Sequence, residues 1–226
     1  MKSKSTLNSL AILCFLLGFE AKASKFVNLD FETAVVSGST DPWKRERTAD
    51  LLPGWELTFA SGPVVTMLVG SPPPGVPYAL LADRRTFPPG VIAGRFSLYM
   101  APGFTDPFNP EIIGDYSLSQ TGEIPLDAKS LRFQAEFGIV EVRIDGAPIA
   151  LFDESPEDSW FSANLHDLAG KNVLLEFRTQ SSVLGPGQYV IDSIEFSPRP
   201  IVPEVSVTTL ALVGFGILGL ADKYSK

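Results

Sequence analysis

The sequence predicts an all-β domain, an antiparallel β-sandwich, flanked by an N-terminal signal helix and a C-terminal hydrophobic helix. Three observations predict it. Apolar and polar residues alternate with period two through much of 24–197, the spacing of a strand with one buried face. Helical periodicity is nearly absent there. Proline and glycine clusters divide the alternation into about ten short segments, the pattern of a sandwich rather than of mixed α/β layers.

At the N-terminus, Lys2 and Lys4 precede an apolar run over 10–19, and Ala21-Lys22-Ala23 is a small-x-small cleavage site. This is the pattern of a secretory signal peptide over 1–23, with the mature chain starting at Ser24. Cys14, the single cysteine, lies in the removed segment. The mature domain, 24–197, therefore has neither a disulfide nor a thiolate site.

The first half of that domain offers strands over 25–32, 55–59, 64–69, 78–82 and 94–100. The runs 71–75 and 87–90 are proline-rich loops, because proline cannot donate to a ladder. In the second half Leu131, Phe133, Ala135 and Phe137 alternate with Arg132, Gln134 and Glu136. Val140, Val142 and Ile144 lead into Asp145-Gly146, a pair suited to the positive φ angles of a type I′ hairpin, with the return strand over 148–152. Val173, Leu175 and Phe177 mark a further strand, and 189–196 the last.

The chain closes on Val202-Pro203-Glu204, an uncharged run over 205–221, and Lys223 and Lys226. As a helix the run would extend about 25 Å, slightly less than a bilayer core of about 30 Å. This 198–226 segment resembles the PEP-CTERM sorting signal, with Val202, Pro203 and Glu204 as the motif and the Gly-punctuated run 210–220 as its helix. The resemblance implies recognition and cleavage by an exosortase at the membrane, and delivery to the cell envelope, surface or extracellular matrix. An ordinary C-terminal membrane anchor is the alternative.

Within the domain, Asn28-Leu29-Asp30-Phe31-Glu32, Leu52-Pro53-Gly54-Trp55, Leu118-Ser119-Gln120-Thr121, Val142-Arg143-Ile144-Asp145-Gly146, the run 168–177 and Ile191-Asp192-Ser193-Ile194 follow one another in order. This series resembles the galactose-binding-like jelly rolls of carbohydrate-binding modules. The resemblance implies a jelly roll of eight to ten strands that binds rather than catalyses, with Trp55 and Trp160 at structural positions. It also implies a structural Ca²⁺ held by Glu32 and Asp192.

The residues themselves bear on the same chemistry. Twelve Lys and Arg against twenty-three Asp and Glu give the domain a net charge of −11. That argues against nucleic acid and anionic lipid and suits neutral polymers or cations. His166 is the single histidine and no Gly-x-Ser-x-Gly elbow occurs, so neither a His-rich zinc centre nor a conventional hydrolase triad can be built. Asp192 falls in an apolar strand row, where a carboxylate must be hydrogen-bonded, paired or on a metal. Asn28, Asp30 and Glu32 share a face of the first strand. If first and last strands meet, these oxygens converge and suit Ca²⁺; otherwise Asp192 caps a bulge. For a sugar ring, Trp43 in a charged inter-strand segment and Tyr99 are the candidate stacking residues. The expected function is a secreted, non-catalytic module that binds or forms part of an extracellular polysaccharide matrix. A carbohydrate-active hydrolase or lyase and a protein–protein adhesion module are the alternatives.

Overall fold

The computed structural model describes residues 24–37, 44–60, 62–71, 77–102, 114–138, 140–155, 157–165, 167–179 and 188–201. The signal segment with Ala21 and Ala23, Trp43, His166, the sorting motif Val202-Pro203-Glu204 and the apolar run 205–221 lie outside them. The described residues form an all-β sandwich of two sheets. In spatial order the larger contains β1 (Arg45–Arg47), β4 (Thr66–Val69), β5 (Tyr78–Asp83), β6 (Phe96–Ala101), β14 (Tyr189–Ser197), β8 (Ser130–Glu136), β12 (Trp160–Asn164) and β11 (Phe152–Ser155). The smaller runs β10 (Ala147–Pro148), β9 (Glu141–Ile144), β13 (Asn172–Arg178), β7 (Tyr116–Glu123), β2 (Glu56–Phe59) and β3 (Gly62–Pro63). Neighbours are antiparallel except β4 and β5, which run parallel.

The alternation read from the sequence sorts the side chains. Leu118, Leu131, Phe133, Val142, Leu175 and Phe177 point between the sheets and are buried. Phe133 and Phe177 meet edge to face with centroids 5.2 Å apart. Trp55 fills the same core beside Phe31 and Phe177, and its indole N–H donates to the Asn28 carbonyl at 2.9 Å. A second apolar cluster lies elsewhere: Leu68, Tyr78, Leu80, Ala82, Tyr99, Ala101 and Val190, with Phe87, Val91 and Ile92 packed on it. Both faces of β5 and β6 are thus buried, which explains why 78–82 and 98–101 are runs without polar alternation.

Asp145 and Gly146 have φ of 50° and 79° and join Ile144 to Ala147 in a two-residue hairpin, as expected. Its return strand is shorter than expected. After β10 the Ile149 N–H still reaches the Val142 carbonyl at 3.0 Å, but the chain then crosses to the other sheet, where β11 pairs with β12. Phe137 also departs from the alternation: β8 ends at Glu136, and Phe137 turns into solvent with φ 64° and 64 % exposure. All four edge strands are short. β3 and β10 carry proline, and β1 and β11 carry charges, the usual devices against edge-to-edge pairing.

Candidate functional site

The first and last segments of the domain meet, though not as two strands. Residues 25–33 make one β-bridge, Lys25 with Glu123, and then turn. Asn28 and Phe31 hold φ of 51° and 59°, so Asn28, Asp30 and Glu32 do not share a strand face. Asn28 Oδ1 accepts the Thr33 N–H at 3.1 Å and Asp30 Oδ1 accepts the Glu32 N–H at 3.2 Å. Side chains of this kind compete with a ladder by closing local turns. The Leu29 carbonyl then accepts the Ile194 N–H of β14 at 3.0 Å and ties the two segments together.

Glu32 and Asp192 converge on one stretch of chain, 93–97, at the entry to β6. Oε1 of Glu32 accepts the N–H groups of Arg95 and Phe96 at 2.6 and 2.9 Å. Oδ2 of Asp192 accepts the Ala93 N–H at 3.0 Å and the Ser97 hydroxyl at 2.6 Å; its Oδ1 accepts the Ser193 N–H at 2.6 Å. Between these anchors Gly94 has φ 53°, and a Cβ there would lie 2.2 Å from Glu32 Oε1. Glycine is therefore required both by its conformation and by the close carboxylate. A bulge at Ser193, with φ 52°, shifts the β14–β8 register. Ile194 consequently joins Ile191 in the main core, while Asp192 remains on the opposite face beside Val190.

Asp192 is 1 % exposed. Burial raises its pKa to about 6; the donors from Ser97, Ala93 and Ser193 offset part of that effect, and the neighbouring Glu32 charge adds to it. This is the bulge-capping alternative foreseen for Asp192. The calcium expectation does not fit the same geometry. Ca²⁺ takes six to eight oxygens, whereas three of the four oxygens of the pair already face N–H or O–H hydrogens. Among the described residues no group of three or more His, Cys, Asp and Glu gathers that could hold a metal ion.

Arg95 extends the anchor sideways. Its guanidinium reaches Asp83 Oδ2 at 2.8 and 3.2 Å and lies 4.2 Å over the Phe96 ring. Burial pushes the Asp83 carboxyl up, but Arg95 and the Arg85 N–H outweigh it and hold the group below its usual range.

Tyr99, expected as a stacking surface, is 3 % exposed. Its ring stacks on Tyr78 at 5.8 Å inside the second apolar cluster, and burial pushes both phenols up. It belongs to the packing and presents no ring face to solvent. Trp160 is half-buried beneath the Arg132 guanidinium, 4.6 Å from its ring centroid. Arg132 is itself held by Glu154 and Glu195 at 2.5 and 2.6 Å, an ion-pair brace across β11, β8 and β14.

Two solvent-facing features remain. The outer face of the smaller sheet is polar in register across β9, β13, β7 and β2. Glu141, Arg178, Ser117 and Thr58 form one row; Arg143, Glu176, Ser119 and Glu56 form the next. Ser117 donates to Glu176 at 2.6 Å and Arg143 to Glu141 at 3.1 Å. These four strands present a face roughly 14 Å across, at about 4.8 Å per strand. The second feature is a cleft of about 390 Å³ beside the N-terminal segment. Phe26, Leu29 and Phe196 form its floor, Pro125 and Leu126 its lip, and Lys25 and Glu123 its polar rim. The sequence signal for the cleft is weak, because its walls come from residues as far apart as Lys25 and Phe196. Gln120 was another residue hidden from sequence reasoning. Its amide brackets Val27, accepting that N–H at 2.6 Å and donating to its carbonyl at 3.1 Å.

Comparison with protein-family models, with curated proteins and with solved structures finds no match to this chain.

Proposed function

We propose that the protein is an exported, non-catalytic sandwich module that binds, or forms part of, an extracellular polysaccharide matrix. Its C-terminal segment directs it to the envelope as an exosortase substrate. The jelly-roll, galactose-binding-like relationship suggested by the sequence belongs to the same proposal. One observation carries it: the outer face of the smaller sheet presents hydroxyl, carboxylate and guanidinium groups in aligned rows. By contrast, the β4–β5–β6–β14 part of the other sheet has its outer face covered by the second apolar cluster. Aligned donors and acceptors on a rigid sheet suit an extended, hydroxyl-rich polymer, which is bound by many weak hydrogen bonds rather than by one deep pocket. A net charge of −11 over 24–197 favours an uncharged polymer over a polyanion.

The test is retention of the full-length exported protein on the producing cell's own exopolymer. Retention without release of reducing ends is the expected result. Release of reducing ends, abolished by changing one acid, would instead identify a carbohydrate-active enzyme. Capture by surface proteins with no affinity for the polymer would identify an adhesion module.

A further inference from the structure

We propose that the cleft between the N-terminal segment, β7 and β14 is a binding site for a neutral sugar unit, an inference that rests on the matrix-binding reading above. The cleft's volume of about 390 Å³ lies in the range of small-molecule sites, which are mostly apolar with a few placed polar groups. Its floor supplies the apolar part. Phe26 and Phe196, both lining the cleft, meet at 4.9 Å with an interplanar angle of 37°. Leu126 at the lip is 82 % exposed, a large apolar side chain already in contact with water. A sugar ring places C–H groups on one face and hydroxyls around its edge, so it can cover such a floor while its rim remains hydrogen-bonded.

The rim selects among ligands. Lys25 and Glu123 pair through their backbones in a parallel β-bridge, and both line the cleft, so its polar groups are one ammonium and one carboxylate. Together they offer donors and acceptors to adjacent hydroxyls with no net charge, which disfavours an ion. A wholly apolar ligand, such as a lipid chain, would desolvate both charges without replacing their hydrogen bonds. The backbone around the site is fixed before any ligand arrives. The Ser24 carbonyl accepts the Glu123 N–H at 2.8 Å, and Ile124 exchanges hydrogen bonds with Lys171 and Gly170 at 2.9 Å. Phe26 lies against Gly122, where a Cβ would approach its ring to 2.8 Å, so that glycine makes room for the floor.

Isothermal titration of the full chain, held in a lipid nanodisc, tests this with three probe sets. These are neutral disaccharides of glucose, galactose and mannose, a hydrolysate of the producing cell's exopolymer, and decanoate. Saturable binding of a neutral saccharide, weakened at least tenfold by Leu126→Asp and by Glu123→Ala with the melting temperature unchanged, is the expected result. Saccharide binding indifferent to both variants, or binding of decanoate alone, would overturn it. If no saccharide binds while intact polymer is still retained, the cleft assignment falls and the matrix reading stands. If polymer is not retained either, both fall.

Discussion

Replacing Asp192 by asparagine separates a buried charge from the shape that holds it. The side chain is 1 % exposed and its pKa is raised to about 6 by burial, with Glu32 adding to the effect. A group whose folded pKa is raised binds more protons in the native state, so its stabilising contribution is complete below the unfolded pKa and is lost as pH rises through about 6. The contribution gained between pH 7.5 and pH 5 is then on the order of 1 kcal/mol. For a domain of this length, about 1 kcal/mol corresponds to a rise of roughly 2–4 °C in melting temperature. Three other carboxylates act in the opposite sense. Burial raises Asp83 and Glu46, but Arg95 and Lys44 hold them below their usual range, and Arg132 does the same for Glu154. Their stabilisation is lost progressively as pH falls from about 5 through their depressed values, so the Asp192 effect is read between pH 7.5 and pH 5. Wild-type protein should therefore melt higher at pH 5 than at pH 7.5, while Asp192→Asn should show a much flatter profile. The amide leaves one of the donors at Ala93 or Ser193 without an acceptor, a cost of about 1–3 kcal/mol that offsets the gain from removing the charge at neutral pH. Melting curves of the two proteins across pH 4–8 measure this directly. Parallel profiles, or a wild-type protein that loses stability faster than the variant on acidification to pH 5, would refute the reasoning.

Other perturbations probe the same region. Gly94→Ala should destabilise by about 1–3 kcal/mol through strain at φ 53° and collision with the Glu32 carboxylate. In a double-mutant cycle with Glu32→Ala, denaturant melts should show the two costs failing to add. Tyr99→Ala should cost about 3–5 kcal/mol by opening a cavity in the second core, with polymer retention unchanged at temperatures below the melt. Metal-stripped wild-type protein should melt identically with chelator and with excess Ca²⁺; a calcium-dependent rise lost in both Glu32→Gln and Asp192→Asn would reinstate the ion.

The parts of the fold written in local chemistry were legible in the sequence. Strict alternation placed Leu131, Phe133 and Ala135 in the core, and Asp145-Gly146 specified its hairpin because few residue pairs adopt two positive φ angles. The meeting of Glu32 with Asp192 was legible as a convergence, but what they meet was not. Their partners are the N–H groups of Ala93, Arg95, Phe96 and Ser193 and the Ser97 hydroxyl, and alternation carries no information about which N–H groups a turn will turn inward. A bulge beside Asp192 was named as an alternative, but its place at Ser193 was hidden, since Val190, Ile194 and Phe196 recur at the even spacing of a regular strand. Tyr99 was misread for a related reason. A tyrosine on an outer sheet face looks exposed until a second apolar layer, built from Phe87, Val91 and Ile92, covers it. The cleft and the Gln120 bracket depend on contacts spanning more than ninety residues of chain, which no local pattern reports.

The central claim, that the open face of the smaller sheet engages matrix polysaccharide, is tested most directly by removing two of its donors. Arg143 and Arg178 lie in adjacent rows of that face, and neither belongs to the core. Full-length Arg143→Ala/Arg178→Ala protein should keep its melting temperature to within a few degrees, as expected for partly exposed ion pairs. Its retention on the producing cell's exopolymer should fall at least tenfold. Retention equal to wild type, in a variant shown to be folded, would contradict the account.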